Sequence, residues 1–418
     1  MVYNKNLKKI ADRKKESKGQ DPCTVSFLLT KEIIEENQKL ETERKEIEKE
    51  MNDLWELLSK SYSKIGNLVH ESVPIDDNED NNKVERTWGT VEKREINGKP
   101  GSGHHHEVLN WIGGYDAERG QKVAGHRGYY LKGYGMLLNQ ALIHFGMKYL
   151  FQKGYTPVQP PYFMKREVMA ETAQLSDFDE QLYKIEGDPE PYYLIATAEQ
   201  PISCMYRNEW LERHELPIRF SGISPCFRKE AGSHGKDTWG IFRVHQFEKV
   251  EQFCITTPEE SWAMHEEMIK VSEEFYQALN LPYRVINIVS GALNDAAAKK
   301  YDLEAWFPGY DTYRELVSCS NCTDYQSRSI NIRLRTDKKQ TEEKKFVHML
   351  NGTLCATERT LCCILENYQT ETGVKVPEVL QPYVGTDFIP YIKDKLPKEE
   401  EKNEKKKEEK KEKKSEDK

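Results

Sequence analysis

Apolar residues recur at every seventh position in the first part of the chain: Ile33, Leu40, Ile47 and Leu54, then Leu68 after a break at Ser61. A companion row follows polar Asn37 and Arg44 and holds Met51, Leu58 and Ile65. Two such rows on a charged background make the narrow seam of a coiled coil. The pattern predicts one long helix that needs a partner, so an antiparallel helical hairpin is preferred to a lone surface helix. The only nearby candidate partner, residues 7–18, is short. Val73-Pro74 begins a linker, and residues 76–82 form an acidic, Asn-rich loop. A second helix is predicted over 132–153, where Leu137, Leu138, Ala141, Leu142, Phe145 and Leu150 fall at helical spacing. Gly154 stops it, and a strand over 155–161 ends in prolines. Further strands are predicted over 192–196, 283–288, 314–318 and 346–353, and helices over 261–279 and up to Tyr368. Strands and helices are thus mixed along the chain.

Composition changes the picture mainly at the ends. The 418 residues are 37% hydrophobic and 32% charged, with a net charge of −8. The first 20 residues are basic and polar. Residues 398–418 hold ten Lys and nine Asp or Glu, net +1, and no apolar side chain. Such a tail cannot pack a core and is expected to be disordered. Three segments result: 1–75, a helical arm; 76–392, the globular domain; and 393–418, the charged tail. No run of about 18 apolar residues predicts a membrane span. The first 18 residues lack the apolar region of a secretory signal. Nine cysteines, an odd number, suit a reducing compartment, so a cytoplasmic location is expected. Negative net charge does not advertise nucleic-acid binding, yet one basic face is enough for phosphate contacts.

The candidate chemistry is densest in residues 227–253, FRKEAGSHGKDTWGIFRVHQFEKVEQF. This stretch reads as strand, glycine-bearing loop, strand. By strand alternation Arg228 and Glu230 share a face in the first arm, and Arg243, Phe247 and Glu251 share one in the second. A cation, a ring and a carboxylate make a poor core face but a good floor for a ligand with phosphates, a flat base and an amine. Arginine suits phosphate because its planar fork donates two parallel hydrogen bonds. A solvated hairpin with ordinary ion pairs is the alternative. Cys319-x-x-Cys322 is a weak zinc signal, because no second pair supplies the remaining ligands. The adjacent His104, His105 and His106 cannot all face one metal. Glu315 and Ser318 are better metal candidates, as oxygen ligands for a phosphate-bound Mg²⁺. Arg359 falls in the first turn of a helix, where it opposes the dipole and calls for a nearby anion.

The 227–253 stretch closely resembles motif 2 of class II aminoacyl-tRNA synthetases, in the form found in seryl-tRNA synthetases of the eukaryotic cytosolic type. The helix–Gly–strand–Pro unit over 132–161 resembles motif 1, the dimer interface, and the stretch around Arg359 resembles motif 3. Thr197-x-Glu199 resembles the family's serine-pocket element. The resemblance covers residues 65–392. It implies an α+β fold, an antiparallel sheet flanked by helices, behind a helical coiled-coil arm that grips tRNA, in a homodimer. It implies ATP- and Mg²⁺-dependent activation of L-serine to seryl-adenylate and transfer to tRNA-Ser and tRNA-Sec. Arg228, Glu230 and Arg359 are the implied catalytic residues. The implied serine pocket is Thr197, Glu199, Arg228, Glu251, Asn351 and Thr353. ATP contacts are implied for Arg228, Lys229, Glu230, Arg243, Val244, His245, Gln246, Phe247, Glu315, Leu316, Val317, Ser318 and Arg359. In the family fold, Phe247 and Arg359 cover the two faces of adenine, and Glu315 and Ser318 hold Mg²⁺.

Two other readings stand beside this one. A catalytically silent binding protein has no reason to keep Arg228, Glu230, Phe247, Glu251, Glu315 and Arg359 together. A threonine-activating relative would need zinc ligands in the pocket. In the arm only one long helix is evident, so near-normal serine activation with weak tRNA charging is expected. Self-association through the bare stripe is expected too. The alternative is a natural start upstream of Met1.

Overall fold

The computed structural model describes residues 24–62, 65–172, 181–187, 189–230, 235–335 and 345–397. The expectations for the basic start, for residues 7–18, for 231–234 of the glycine-bearing loop and for the 398–418 tail lie outside the described residues. The chain divides into two compact units, Met1–Ile65 and Gly66–Lys418.

In the first unit, α1 (Thr24–Tyr62) is one unbroken helix of 39 residues. It contains no Gly or Pro and is rich in Glu, Lys and Leu, which are good helix formers. Ion pairs one turn apart, Arg44–Glu48 at 3.5 Å and Lys45–Glu41 at 4.0 Å, add a few tenths of a kcal/mol each. The seam residues Ile47, Met51, Leu54 and Leu58 are exposed, and so is Trp55 at 68%. The side chain of Ile33 lies outside the described residues.

The second unit is built on eight strands: β1 (Lys83–Trp88), β2 (Thr156–Val158), β3 (Ile218–Phe227), β4 (Gln246–Thr256), β5 (Tyr283–Asn287), β6 (Lys299–Phe307), β7 (Thr312–Asn321) and β8 (His348–Ala356). Their order across the sheet is β1-β5-β6-β7-β8-β4-β3-β2. Neighbours are antiparallel except at one edge, where β2 runs parallel to β3 with Thr156 opposite Phe220. The expected antiparallel sheet is therefore mixed at that edge, because residues 159–217 form the long crossover that a parallel pair requires. Pro157 lies in this edge strand, where its missing N–H costs no ladder bond.

Five helices matter for the site: α2 (His105–Trp111), α3 (Gly133–Gln152), α4 (Glu199–Ser203), α5 (Ser261–Ala278) and α6 (Thr357–Tyr368). Helices α3, α5 and α6 cover one face of the sheet. Leu138, Leu142, Met268, Phe275, Leu361 and Ile364 bury against Val250, Cys254, Leu303, Val317 and Cys355. Each fully buried aliphatic side chain of this kind contributes about 1.5–3 kcal/mol. On the other face, alternation along β4 turns Phe253 and Ile255 into a smaller core with Ala198, Ile202, Phe220 and Met349. Further toward the start of β4 the same face carries Glu251, Lys249 and Phe247, and there the cover gives way to a groove.

Candidate active site

The hairpin β3–β4 forms the centre of the groove floor, with Phe247 opposite Cys226 and Glu251 opposite Gly222. Phe247 and Glu251 share a face, as expected, and Lys249 stands between them on it. Arg243 does not join them. The strand begins at Gln246, so Arg243 lies in the preceding loop, and strand alternation does not apply to it. Arg228 and Glu230 likewise lie beyond the end of β3. Glu230 has φ 49°, a left-handed conformation that turns the chain out of the strand.

Glu251 is buried and crowded with partners. Its carboxylate receives Lys249 Nζ at 2.8 Å, the Glu199 N–H at 3.1 Å and the Thr353 hydroxyl at 3.5 Å. Thr353 stands opposite Glu251 across the β4–β8 ladder. Glu199 opens α4, and its carboxylate accepts from Gln326 at 2.9 Å and Asn351 at 3.1 Å. Burial and the nearby Glu251 carboxylate push Glu199 up to about 7. Thr197, buried, precedes α4. Two carboxylates, two amides and a hydroxyl thus converge in one small polar pocket. The sheet tolerates α4 this close because position 222 is glycine. A Cβ there would lie 2.5 Å from Ile202 Cδ1.

Above this pocket, the Arg228 guanidinium lies 5.4 Å from the centroid of the Phe247 ring. Its backbone N–H donates to the His245 carbonyl at 3.0 Å, and His245 Nδ1 lies 3.1 Å from the Arg228 carbonyl oxygen. The Lys229 N–H donates to the Gln181 carbonyl at 2.9 Å. Arg243 meets the Glu230 carboxylate at 3.3 Å, and buried Arg127 stands 4.0 Å from the same group. The Gln246 carbonyl accepts from the Tyr129 hydroxyl at 3.0 Å. Val244 is buried in the core and so can offer a ligand only its backbone.

Arg359 has the anion its helical position calls for. Its Nη1 lies 3.3 Å from the Glu315 carboxylate and also from the Glu315 carbonyl. The ring beneath it is Phe242, at 5.0 Å. Burial would raise Glu315, but Arg359 and the more distant Lys249, Lys300 and Arg228 outweigh it and hold the carboxyl below its usual range. A bulge sets its direction. Asp302 pairs with Ser318 and Leu303 with Val317, but Glu304 pairs with Glu315. Leu316 is the extra residue, and both it and Val317 are buried in the core. Glu315 and Ser318, three apart, therefore share the groove face with Asp302. Asp302 is buried, and its Oδ1 has no hydrogen-bond partner among the described residues. Burial and Glu315 push it up to about 7.

The Cys319 and Cys322 thiols are buried and pushed up by that burial. Cys322 accepts from Asn351 at 3.5 Å. Among the described residues, no three His, Cys, Asp or Glu side chains are grouped to hold a metal. A cation at Glu315 and Ser318 would take its remaining oxygens from substrate and water. Lys249, Gln326, Asp302, Arg127 and Phe242 are the groove residues that the sequence reading did not select. Alternation two residues from Glu251 could have found Lys249. Phe242 stands beside Arg243 in the same hairpin loop, and Gln326, Asp302 and Arg127 are brought in from other elements.

The chain matches the family described as "tRNA synthetase class II core domain (G, H, P, S and T)" over residues 183–368. It is 57% identical to the cytoplasmic serine–tRNA ligase of Dictyostelium discoideum, over 94% of this chain and 83% of that protein. The crystal structure of the cytoplasmic enzyme of that name from Naegleria fowleri, in complex with AMP, superposes with a TM-score of 0.75 at 51% identity, covering 88% of this chain and 76% of that one. Seryl-tRNA synthetase from Pyrococcus horikoshii, complexed with ATP, superposes at 0.77 with 40% identity, covering 94% and 92%.

Proposed function

The chain belongs to the seryl-tRNA synthetase family, within class II, and we propose that the groove over β4, β7 and β8 is where it carries out that family's reaction. It activates L-serine with ATP and charges tRNA-Ser. Its relatives' names give a cytoplasmic location, which is assigned here too, and no described helix is long and apolar enough to cross a membrane.

In this reading the serine carboxylate attacks the α-phosphate of ATP, giving seryl-adenylate and pyrophosphate. A terminal ribose hydroxyl of the tRNA then takes the seryl group. No side chain acts as a nucleophile, so catalysis rests on alignment and charge. Glu251 and Glu199 hold the serine ammonium. The Lys249 ammonium, 2.8 Å from Glu251, supports a cation position there. Asn351, Thr353 and Thr197 complete the pocket around the small side chain. A site that hydrogen-bonds a substrate hydroxyl rejects the analogue lacking it by about 10⁴–10⁵, which separates serine from alanine. Arg228 spans the serine carboxylate and the α-phosphate, with Lys229, Arg243 and the 244–246 backbone beside it. Glu230 meets the adenine or ribose side. Phe247 and Arg359 bound the base, and Phe242 supports Arg359 from behind. Glu315, Ser318 and the 316–317 backbone line the phosphate side.

Mg²⁺ fits this chain. The donors are all oxygens, as a hard cation requires. The orphaned Oδ1 of Asp302 beside Glu315 is a buried charge problem that a dication relieves. Glu315 and Ser318 would hold it, and when bound it neutralises charge on the phosphates. The proposal extends to serylation of tRNA-Sec, to a homodimer through the β2 edge, and to tRNA contact by the 1–75 arm ahead of a 76–392 catalytic domain and a 393–418 tail.

The Glu199–Glu251 pocket at the foot of the arginine-lined groove carries this reading. Its test is adenylate trapping. Labelled serine and ATP should leave seryl-adenylate on the protein through gel filtration. Glu251→Ala should abolish it. Adenylate retained by that variant, or none on the wild type, would sink the reading.

A further inference from the structure

One buried charged cluster near the groove has no part in the chemistry above. His105 opens α2 and is buried. Its Nδ1 lies 3.0 Å from Glu366 Oε1, and its Nε2 lies 3.2 Å from the carbonyl oxygen of Trp239. Both partners are acceptors. A neutral imidazole can donate from one nitrogen only, so a ring that serves both contacts is an imidazolium. Glu366, on α6, is fully buried and also accepts the backbone N–H groups of His105 at 3.1 Å and Gly309 at 2.8 Å. Buried charges persist only when paired and hydrogen-bonded in this way.

Two glycines let the backbone press against this pair. A Cβ on Gly240 would lie 2.7 Å from His105 Nε2, and one on Gly309 would lie 2.6 Å from Glu366 Oε2. Gly240 also has φ +62°, which disfavours any side chain there. The 239–243 segment is therefore laid directly on the histidine ring. Two residues on from Gly240, the Phe242 ring carries Arg359 at 5.0 Å and Arg314 at 4.9 Å. Arg359 in turn meets Glu315.

We propose that His105 is a positioning residue for the nucleotide site: clamped between Glu366 and the Trp239 carbonyl, it fixes the 239–243 segment and so seats Phe242 beneath Arg359. This rests on the reading of the Arg228–Arg359 groove as an ATP site. Several groups face the ring. Glu366 and Cys362 come from α6, and Tyr310 from the β6–β7 turn, with Arg314 behind it. From its own segment His106 meets the ring edge-on, with His104 and the Glu107 carboxylate that accepts its N–H next to it in the chain. Burial lowers the His105 pKa, but Cys362 and Glu366 more than reverse this and hold it well above the ordinary value. The clamp is therefore intact at and below the ordinary histidine pKa and is lost as pH rises through the raised one.

The test reads ATP affinity by titration calorimetry on the full chain, with serine affinity and Tm alongside. His105→Gln keeps the bulk and a donor but not the charge. It should weaken ATP about tenfold near neutral pH while leaving serine within about twofold. Wild-type ATP affinity should fall more steeply than that of His105→Gln as pH rises into the alkaline range. Gly240→Ala, which lifts the segment off an unchanged histidine, should weaken ATP in the same direction, and it carries the test should His105→Gln not fold. Unchanged ATP affinity in the variant would overturn the clamp. So would a parallel loss of ATP affinity, serine affinity and Tm, which marks a merely structural role. ATP bound without any serine-dependent exchange would instead count against the proposed function, and the clamp would still be read from affinity.

Discussion

At the scale of single residues, the account turns on charges held in a partly dry pocket. Glu251 has three donors within 3.5 Å. Under the proposed function, removing it takes away a charge-assisted partner of the substrate ammonium, worth about 2–3 kcal/mol. Glu251→Ala should therefore raise the serine KM by well over tenfold and the ATP KM far less. Equal rises in the two would make Glu251 a structural residue. Glu199 gives a pH prediction. Its folded value of about 7 lies above the ordinary 4.5. Ionising it in the empty fold is unfavourable, so stability declines as pH rises through that window and levels off above it. A bound ammonium favours the ionised form, so serine binding near neutral pH should expel part of a proton. Calorimetry in two buffers of different ionisation enthalpy should then give different apparent heats. Identical heats would mean that Glu199 does not feel the substrate. Arg228, Glu251 and Phe247 were legible in the sequence because they lie on or beside one hairpin. Gln326 and Asp302 reach the groove through contacts between distant segments, which no local spacing encodes, and Phe242, though in the hairpin loop, is marked only by its contact with distant Arg359.

At the scale of elements, alternation read the faces correctly until a strand departed from it. Glu315 and Ser318 would face opposite ways on a regular strand, and the extra Leu316 in β7 brings them together. A run without Gly or Pro after Gly240 suggests a strand from there, but the second arm begins only at Gln246, which leaves Arg243 in the loop. Strand β6 lies outside the strands that the pattern predicts, and Asp302 with it. Helix α4 shows how packing sets the pocket. It lies against the sheet only because residue 222 has no side chain, since a Cβ would meet Ile202 at 2.5 Å and the Ala198 Cβ at 3.0 Å. Gly222→Ala should cost about 1–3 kcal/mol of stability, the usual scale of overpacking. It should also raise the serine KM more than the ATP KM, because Glu199 rides on α4. Melting curves and separate KM values decide this. A stable variant with normal serine KM would show that α4 has slack.

At the scale of the whole molecule, the arm and the catalytic unit separate the account into two parts. The heptad rows foretold α1 from Leu40 to Leu58, because a seven-residue apolar repeat has few other readings, but their last members, Ile65 and Leu68, lie beyond the end of the helix at Tyr62. The exposed Ile47, Met51, Leu54 and Leu58 make a contiguous apolar stripe, and bare stripes drive association. Ile47→Asp together with Leu54→Asp should reduce self-association in sedimentation and leave serine activation untouched. A loss of activation in that variant would tie the arm to the active site. The fold of the second unit was legible in outline, while its mixed edge was not, because the parallel pairing of β2 depends on a crossover of many residues rather than on any local signal. The central claim is that the groove of this second unit activates serine. ATP–pyrophosphate exchange by the purified chain tests it most directly. Serine should support exchange and alanine should not. No exchange with serine, or equal exchange with alanine, would contradict the account.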